Sequence, residues 1–265
     1  MPDTVLDSEV EFMKVLNAEY QARSMLTERR FYSIFYSRIT PSPIMVLGIN
    51  PGGDPSTWTM NPDADEFCSA WQHDYVDERY DIQAVMQPLL KRVLGIDDAI
   101  LRRVPKTNMV FRRSQSVTKF RKQQGGMPMA KALQESIPVV SQIVGRVSPE
   151  VIIFEGHDAL AMFHQAFGTA PLGPSLVAPV LTPNGRHSAL VYAVKEVQCS
   201  ILPRPVLACA LAHPSKYARR VEFLTAEQDM KLRLSHIGAR LREMGPPRPV
   251  NRGSSKNRSS DGALG

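Results

Sequence analysis

Short, unbroken apolar runs separated by stretches of helical periodicity set the pattern of this chain. The clearest run, IMVLGI at 44–49, lies between Pro43 and Asn50-Pro51-Gly52-Gly53 and reads as a buried parallel strand feeding a tight loop. Further runs at 107–111, 151–154, 190–194 and 206–212 complete a predicted strand set, the one at 151–154 ended by Gly156. Between them, apolar positions at helical spacing predict helices over 82–94, over 129–144 with a bend or interruption at Pro138, over 157–167 and over 225–244. Ahead of the first strand, Val10, Met13, Leu16 and Tyr20 make 6–36 read as one or two helices on the edge of the domain.

Strands that alternate with helices predict an α/β fold, a sheet sandwiched between helix layers. The expected architecture is a three-layer α/β/α sandwich around a mainly parallel sheet of four to five strands. The 265 residues suit one domain over 1–244, with 1–40 as a helical extension. Residues 245–265 are Pro, Arg, Ser and Gly with little to bury, and are expected to be a disordered basic tail.

Composition narrows the function classes. No apolar run approaches bilayer length, and Met1-Pro2-Asp3 is acidic where a secretory signal would be basic, so a cytoplasmic protein away from membranes is expected. Cys68, Cys199 and Cys209 form neither a disulfide framework nor a CxxC metal pattern, and are too few for an iron–sulfur cluster, so a metal-free protein without cofactor is expected. A monomer is also expected. The net charge of +6 is a modest pointer to an anionic partner. Its distribution says more: 54–81 is acidic, while Arg102, Arg103, Lys106, Arg112, Arg113, Lys119, Arg121 and Lys122 crowd one stretch and Lys216, Arg219 and Arg220 another.

Open α/β sheets bind ligands at the carboxyl ends of their strands. Three polar clusters fall there: Gly48-Ile49-Asn50-Pro51-Gly52, Thr107-Asn108 and His213-Pro214-Ser215. Taken singly, each has a plainer reading, as a capped loop, a satisfied core amide and a turn. In this order they resemble the uracil-DNA glycosylase superfamily, whose first motif ends strand one, whose central Asn reads the base and whose His-Pro-Ser-like motif closes the site. The stretch 149–159 is similar to that family's third strand and following helix.

The resemblance implies a uracil-DNA glycosylase-like fold and a monofunctional glycosylase that flips a pyrimidine-type base out of DNA and hydrolyses its bond to deoxyribose. It implies that Asn50 orients a water towards C1′, with Asp54 a carboxylate alternative. His213 would donate to the pyrimidine O2, where negative charge accumulates. Asn108 presents donor and acceptor together, and one amide orientation matches uracil while the other matches cytosine. Gly48, Ile49, Pro51 and Gly52 would line the base pocket, with Trp58 or Phe67 as an aromatic floor. Ser215 would take phosphate, and Lys216, Tyr217, Arg219 and Arg220 would form the wedge that enters the stack. Arg112 and Arg113 would add DNA contacts, and Gly52-Gly53 and 171–175 would hug the backbone.

Uracil-specific members place a bulky residue after the motif proline, against C5 of the base. This chain has Gly52 and Gly53, which implies room for a 5-substituted base, and the acidic insertion following them suits a polar one. A glycosylase for a hypermodified, even glucosylated, cytosine of phage DNA is therefore an alternative, acting in defence rather than repair. Two readings come from other classes: a nucleotide hydrolase, which should show a strand-end carboxylate cluster for metal, and a non-catalytic module that binds modified bases. No lysine is placed by motif for a Schiff base, so strand-nicking lyase activity is not expected.

Overall fold

The computed structural model describes residues 4–53, 55–57, 72–78, 80–178, 180–184, 187–212 and 221–246. Among the described residues, eight α-helices and six strands alternate along the chain. The strands are β1 (Ile44–Gly48), β2 (Lys106–Asn108), β3 (Val151–Glu155), β4 (Val180–Asn184), β5 (His187–Val197) and β6 (Val206–Leu211). The helices are α1 (Thr4–Ser24), α2 (Asp74–Asp77), α3 (Gln83–Leu94), α4 (Asp98–Leu101), α5 (Val117–Gln123), α6 (Met129–Val147), α7 (His157–Phe167) and α8 (Val221–Met244).

One sheet runs in the order β2-β1-β3-β6-β5-β4. Its first four strands are parallel, and β5 and β4 are added antiparallel at one side. The central strands β1 and β3 are buried on both faces, which is why they read as unbroken apolar runs rather than alternating ones. On one face Met45, Leu47, Ile152 and Phe154 pack with residues of α1, α6 and α7. On the other, Val46, Ile153 and Cys209 pack with residues of α3 and α8. The α/β sandwich expected from the sequence is therefore the architecture observed.

Several boundaries differ from the expectation, each for a physical reason. The sheet has six strands, not four or five. The missed β4 carries Pro183, which an edge strand tolerates because one side of its ladder is unpaired. Helix α1 ends at Ser24, and the chain then runs through a short 3-10 turn to extended Tyr32. Pro138 does not interrupt α6: it removes one intrahelical bond, while the neighbouring Val139, Val140, Ile143 and Val144 are all buried and hold the turn. β2 stops at Asn108, although Met109 and Val110 still donate to the carbonyls of Gly48 and Ile49 at 2.9 and 2.8 Å.

Two close contacts fix α8 against the end of α3. A Cβ on Gly238 of α8 would lie 1.7 Å from the Leu94 carbonyl oxygen, so glycine is what lets α8 cross the end of α3. Arg242 then donates to the carbonyls of Leu94 and Gly95 at 3.1 and 2.6 Å, satisfying the open end of α3.

Candidate active site at the carboxyl edge of the sheet

The parallel strands end in one transverse row. Gly48 stands opposite Asn108, Leu47 opposite Phe154 and Glu155 opposite Leu211, so the last residues of β2, β1, β3 and β6 lie side by side. Residues in one row of a sheet point to the same face, and adjacent strands are about 4.8 Å apart. Gly48 leaves the space that its neighbours fill. A Cβ there would sit 2.1 Å from Asn108 Oδ1 and 2.9 Å from Glu155 Oε2. The side chains of Asn108 and Glu155, 4% and 5% exposed, thus converge over the bare backbone between them. The Asn108 amide hydrogen-bonds none of the other described residues.

Asn50 follows on the loop leaving β1. Its Nδ2 donates to the Pro51 carbonyl at 2.9 Å, the Ser114 carbonyl at 3.3 Å and Ser114 Oγ at 3.0 Å. Two of these partners are carbonyls that only accept, so the nitrogen belongs on that side and Oδ1 is turned away from the loop. Ser114 is held in turn, its N–H donating to Pro51 O at 2.9 Å and its hydroxyl to Ser116 O at 3.0 Å. Ile49 is half-buried, Pro51 buried and Gly52 exposed, with no described atom within 4 Å of a Cβ built on Gly52.

Behind the row sits a buried charged cluster that the sequence did not reveal. Lys106 Nζ lies 2.5 Å from Asp74 Oδ2 and 3.8 Å from Glu155 Oε2. It also stands over the rings of Tyr36, Tyr75 and Tyr80, at 4.7, 4.5 and 5.6 Å from their centroids. Tyr75 donates its hydroxyl to Glu155 Oε1, and Tyr80 donates to Asp74. Burial opposes the Lys106 charge, but Asp74 and Glu155 outweigh it and hold the ammonium well above the usual lysine range. Burial and then Glu155 push the Tyr75 phenol up, so it remains a donor. His73 orders this segment: its Nδ1 accepts from the Tyr75 N–H at 3.1 Å and its Nε2 donates to Val104 O at 2.9 Å. Burial pulls its pKa down to about 4, so the imidazole is neutral.

The basic stretch before α6 divides into inward and outward parts. Arg112 is a correction to the expected DNA contacts. It is buried and pairs with Glu135 through Nε at 2.7 Å and Nη2 at 3.2 Å, while Nη2 also reaches Ser24 O at 2.9 Å. A guanidinium spent on tying α6 to the end of α1 is not available to a phosphate. Arg102 likewise pairs with Asp77. Arg113 is half-buried, its backbone N–H bonded to Phe31 O at 3.0 Å, whereas Lys119, Arg121 and Lys122 of α5 are exposed. The loop 171–175 lies beside β5. Ser175 and Gly173 bond to Val194 and Lys195 of β5, which pair with Cys209 and Ala208 before the carboxyl end of β6.

Asp54, Trp58, Phe67, His213, Ser215, Lys216, Tyr217, Arg219 and Arg220 lie outside the described residues. Ala212, the last described residue before His213, is buried and leaves β6 at the same carboxyl edge, its N–H bonded to Val191 O at 2.7 Å. Among the described residues no helix is long and apolar enough to cross a membrane, and no group of His, Cys, Asp and Glu is arranged to hold a metal ion. Ser114, Glu155, Lys106, Asp74 and Tyr75 are the site residues that sequence reasoning missed. Comparison with protein-family models and with curated proteins finds no match to this chain.

Proposed function

We propose that this protein is a DNA glycosylase that takes a flipped-out, uracil-type or modified pyrimidine base and hydrolyses its bond to deoxyribose. The observation that carries this reading is the fixed orientation of Asn50 beside the row of Gly48 and Asn108. Its amide nitrogen is consumed by Pro51 and Ser114, so Oδ1 faces away from them as an acceptor for a water. An amide oxygen is not a strong base. It orients the water's lone pair towards C1′ as the bond to the base breaks and positive charge grows on the sugar. The water oxygen bonds to C1′ and its proton passes to solvent. The base leaves with the electron pair of the broken bond and is then protonated.

Asn108 supplies the base-edge contacts, one donor and one acceptor at a buried strand end. Lys106, on the strand that ends in Asn108, is held as a paired ammonium, which disfavours its attack on the sugar as a free amine and supports hydrolysis without strand nicking. Among the described residues nothing fills the space beside Gly52, which supports a base carrying a 5-substituent over uracil alone. The test is incubation with duplexes containing uracil, thymine mismatches or hypermodified cytosines, followed by alkali. Alkali-labile sites at the target position, lost in Asn50→Ala, are the expected result. Intact strands with tight binding would instead identify a module that binds modified bases without catalysis.

A further inference from the structure

The row at the carboxyl edge holds one side chain more than water placement and amide readout require. Glu155 shares with Asn108 the space over Gly48, where Asn108 Oδ1 and Glu155 Oε2 lie 2.1 and 2.9 Å from one point. Two oxygens, one from an amide and one from a carboxylate, are both acceptors, and what satisfies such a pair is a group carrying two hydrogens. The carboxylate is anchored from behind. Tyr75 donates to its other oxygen, and Lys106, itself held by Asp74 at 2.5 Å, stands 3.8 Å from Oε2. The arrangement leaves Oε2 on the Gly48 side, next to an amide that hydrogen-bonds none of the other described residues.

We propose that Glu155 determines the specificity of the site: Glu155 Oε2 and Asn108 Oδ1 each accept one hydrogen of an exocyclic amino group, so the base taken is a 4-aminopyrimidine of the cytosine type. This rests on the glycosylase reading above and selects among its substrates. A carboxylate accepting from the cytosine amino group is an established pairing. With Oδ1 on the amino group, Asn108 Nδ2 faces ring N3, which accepts in cytosine. Uracil reverses both contacts, setting its O4 against two oxygens and its N3–H against an N–H. Once an amino group bridges the two oxygens, of the two amide orientations that a lone asparagine allows only the one with Oδ1 beside the carboxylate is satisfied.

The test uses three matched pairs of duplexes that differ only at C4 of one base: cytosine and uracil, 5-hydroxymethylcytosine and 5-hydroxymethyluracil, and the glucosylated forms of the latter two. Base release is read as alkali-labile strand. In at least one pair the wild type is expected to release the amino member at least about tenfold faster than its oxo partner. Glu155→Gln, which replaces an acceptor by an amide able to donate, is expected to level or reverse that ratio in a protein that still melts cooperatively. Tyr75→Phe, which loosens the carboxylate but keeps it, is expected to narrow the ratio without reversing it. A merely structural role would slow both members of a pair equally. Faster release of the oxo members by the wild type, or an unchanged ratio in a folded Glu155→Gln variant, would overturn the assignment and leave the glycosylase reading standing. Release of none of the six bases would refute the glycosylase reading, and the assignment with it.

Discussion

Two kinds of buried charge occupy this domain, and they differ in what is left over. Glu9 and Arg38 form a closed pair: Arg38 Nε donates to Glu9 Oε2 at 2.8 Å, and the Ile39 N–H takes Oε1 at 3.1 Å. Arg112 and Glu135 are closed in the same way, with the Ser24 carbonyl as a third partner. Both pairs join helices to the segments that frame the sheet. The cluster of Lys106, Asp74, Tyr75 and Glu155, buried except for part of Asp74, instead ends in an oxygen aimed across Gly48 at an amide. Ion pairs that satisfy themselves fasten the fold. A carboxylate whose second oxygen faces an empty glycine at a strand end is placed to meet something else.

Breaking a closed pair should give the largest effect. Glu9→Ala leaves the Arg38 guanidinium buried without its carboxylate, and urea unfolding should show a loss of about 3–5 kcal/mol. Glu155→Gln, by contrast, should cost clearly less, because Lys106 keeps Asp74 at 2.5 Å. Equal losses in the two variants would erase the distinction between the two kinds of cluster.

Acid should act next, and on the open cluster. The unfolded His73 takes a proton near pH 6.5, whereas the folded one resists until about 4, so the unfolded chain binds more protons between those values. Stability is therefore full above pH 6.5 and falls as pH drops towards 4, by on the order of 3 kcal/mol for this group. Thermal melts at pH 7 and pH 4.5 should show a smaller acid loss in His73→Asn than in the wild type. An identical loss would mean that other groups govern acid sensitivity.

The site itself gives smaller energies and sharper readouts. Gly48→Ala drives a methyl into Asn108 Oδ1, 2.1 Å away, and should lower base release by about a hundredfold, roughly 2.7 kcal/mol, with the protein still folded. Ser114→Ala removes one of three acceptors for the Asn50 amide, and the two carbonyls remain. It should lower kcat by about tenfold with little change in KM, since the loss is of alignment rather than binding.

Much of this was legible in the sequence where one physical signal dominated. Unbroken apolar runs at Ile44, Val151 and Val206 marked strands buried on both faces, and Asn50 and Asn108 stood out as amides at strand ends. Where a residue type serves two purposes, the sequence was silent. Arg112 sits in a basic stretch that suits phosphates, yet its partner Glu135 lies on another helix and became visible only when the chain folded. Glu155 follows an apolar strand run with nothing local to mark it, and Tyr75 is brought to it from 80 residues away and Lys106 from across β1. β4 was missed although Asn184 followed by glycine is a hairpin signal; with Pro183 inside it, its five residues make no apolar run.

The most direct test is a co-crystal with a duplex whose 5-hydroxymethylcytidine carries a 2′-fluorine on the arabino face, which resists hydrolysis. That nucleotide should be rotated out of the helix, its amino group between Asn108 and Glu155 and a water joining Asn50 Oδ1 to C1′. A duplex bound with every base stacked, or an extruded base lodged away from the row through Gly48, would contradict it.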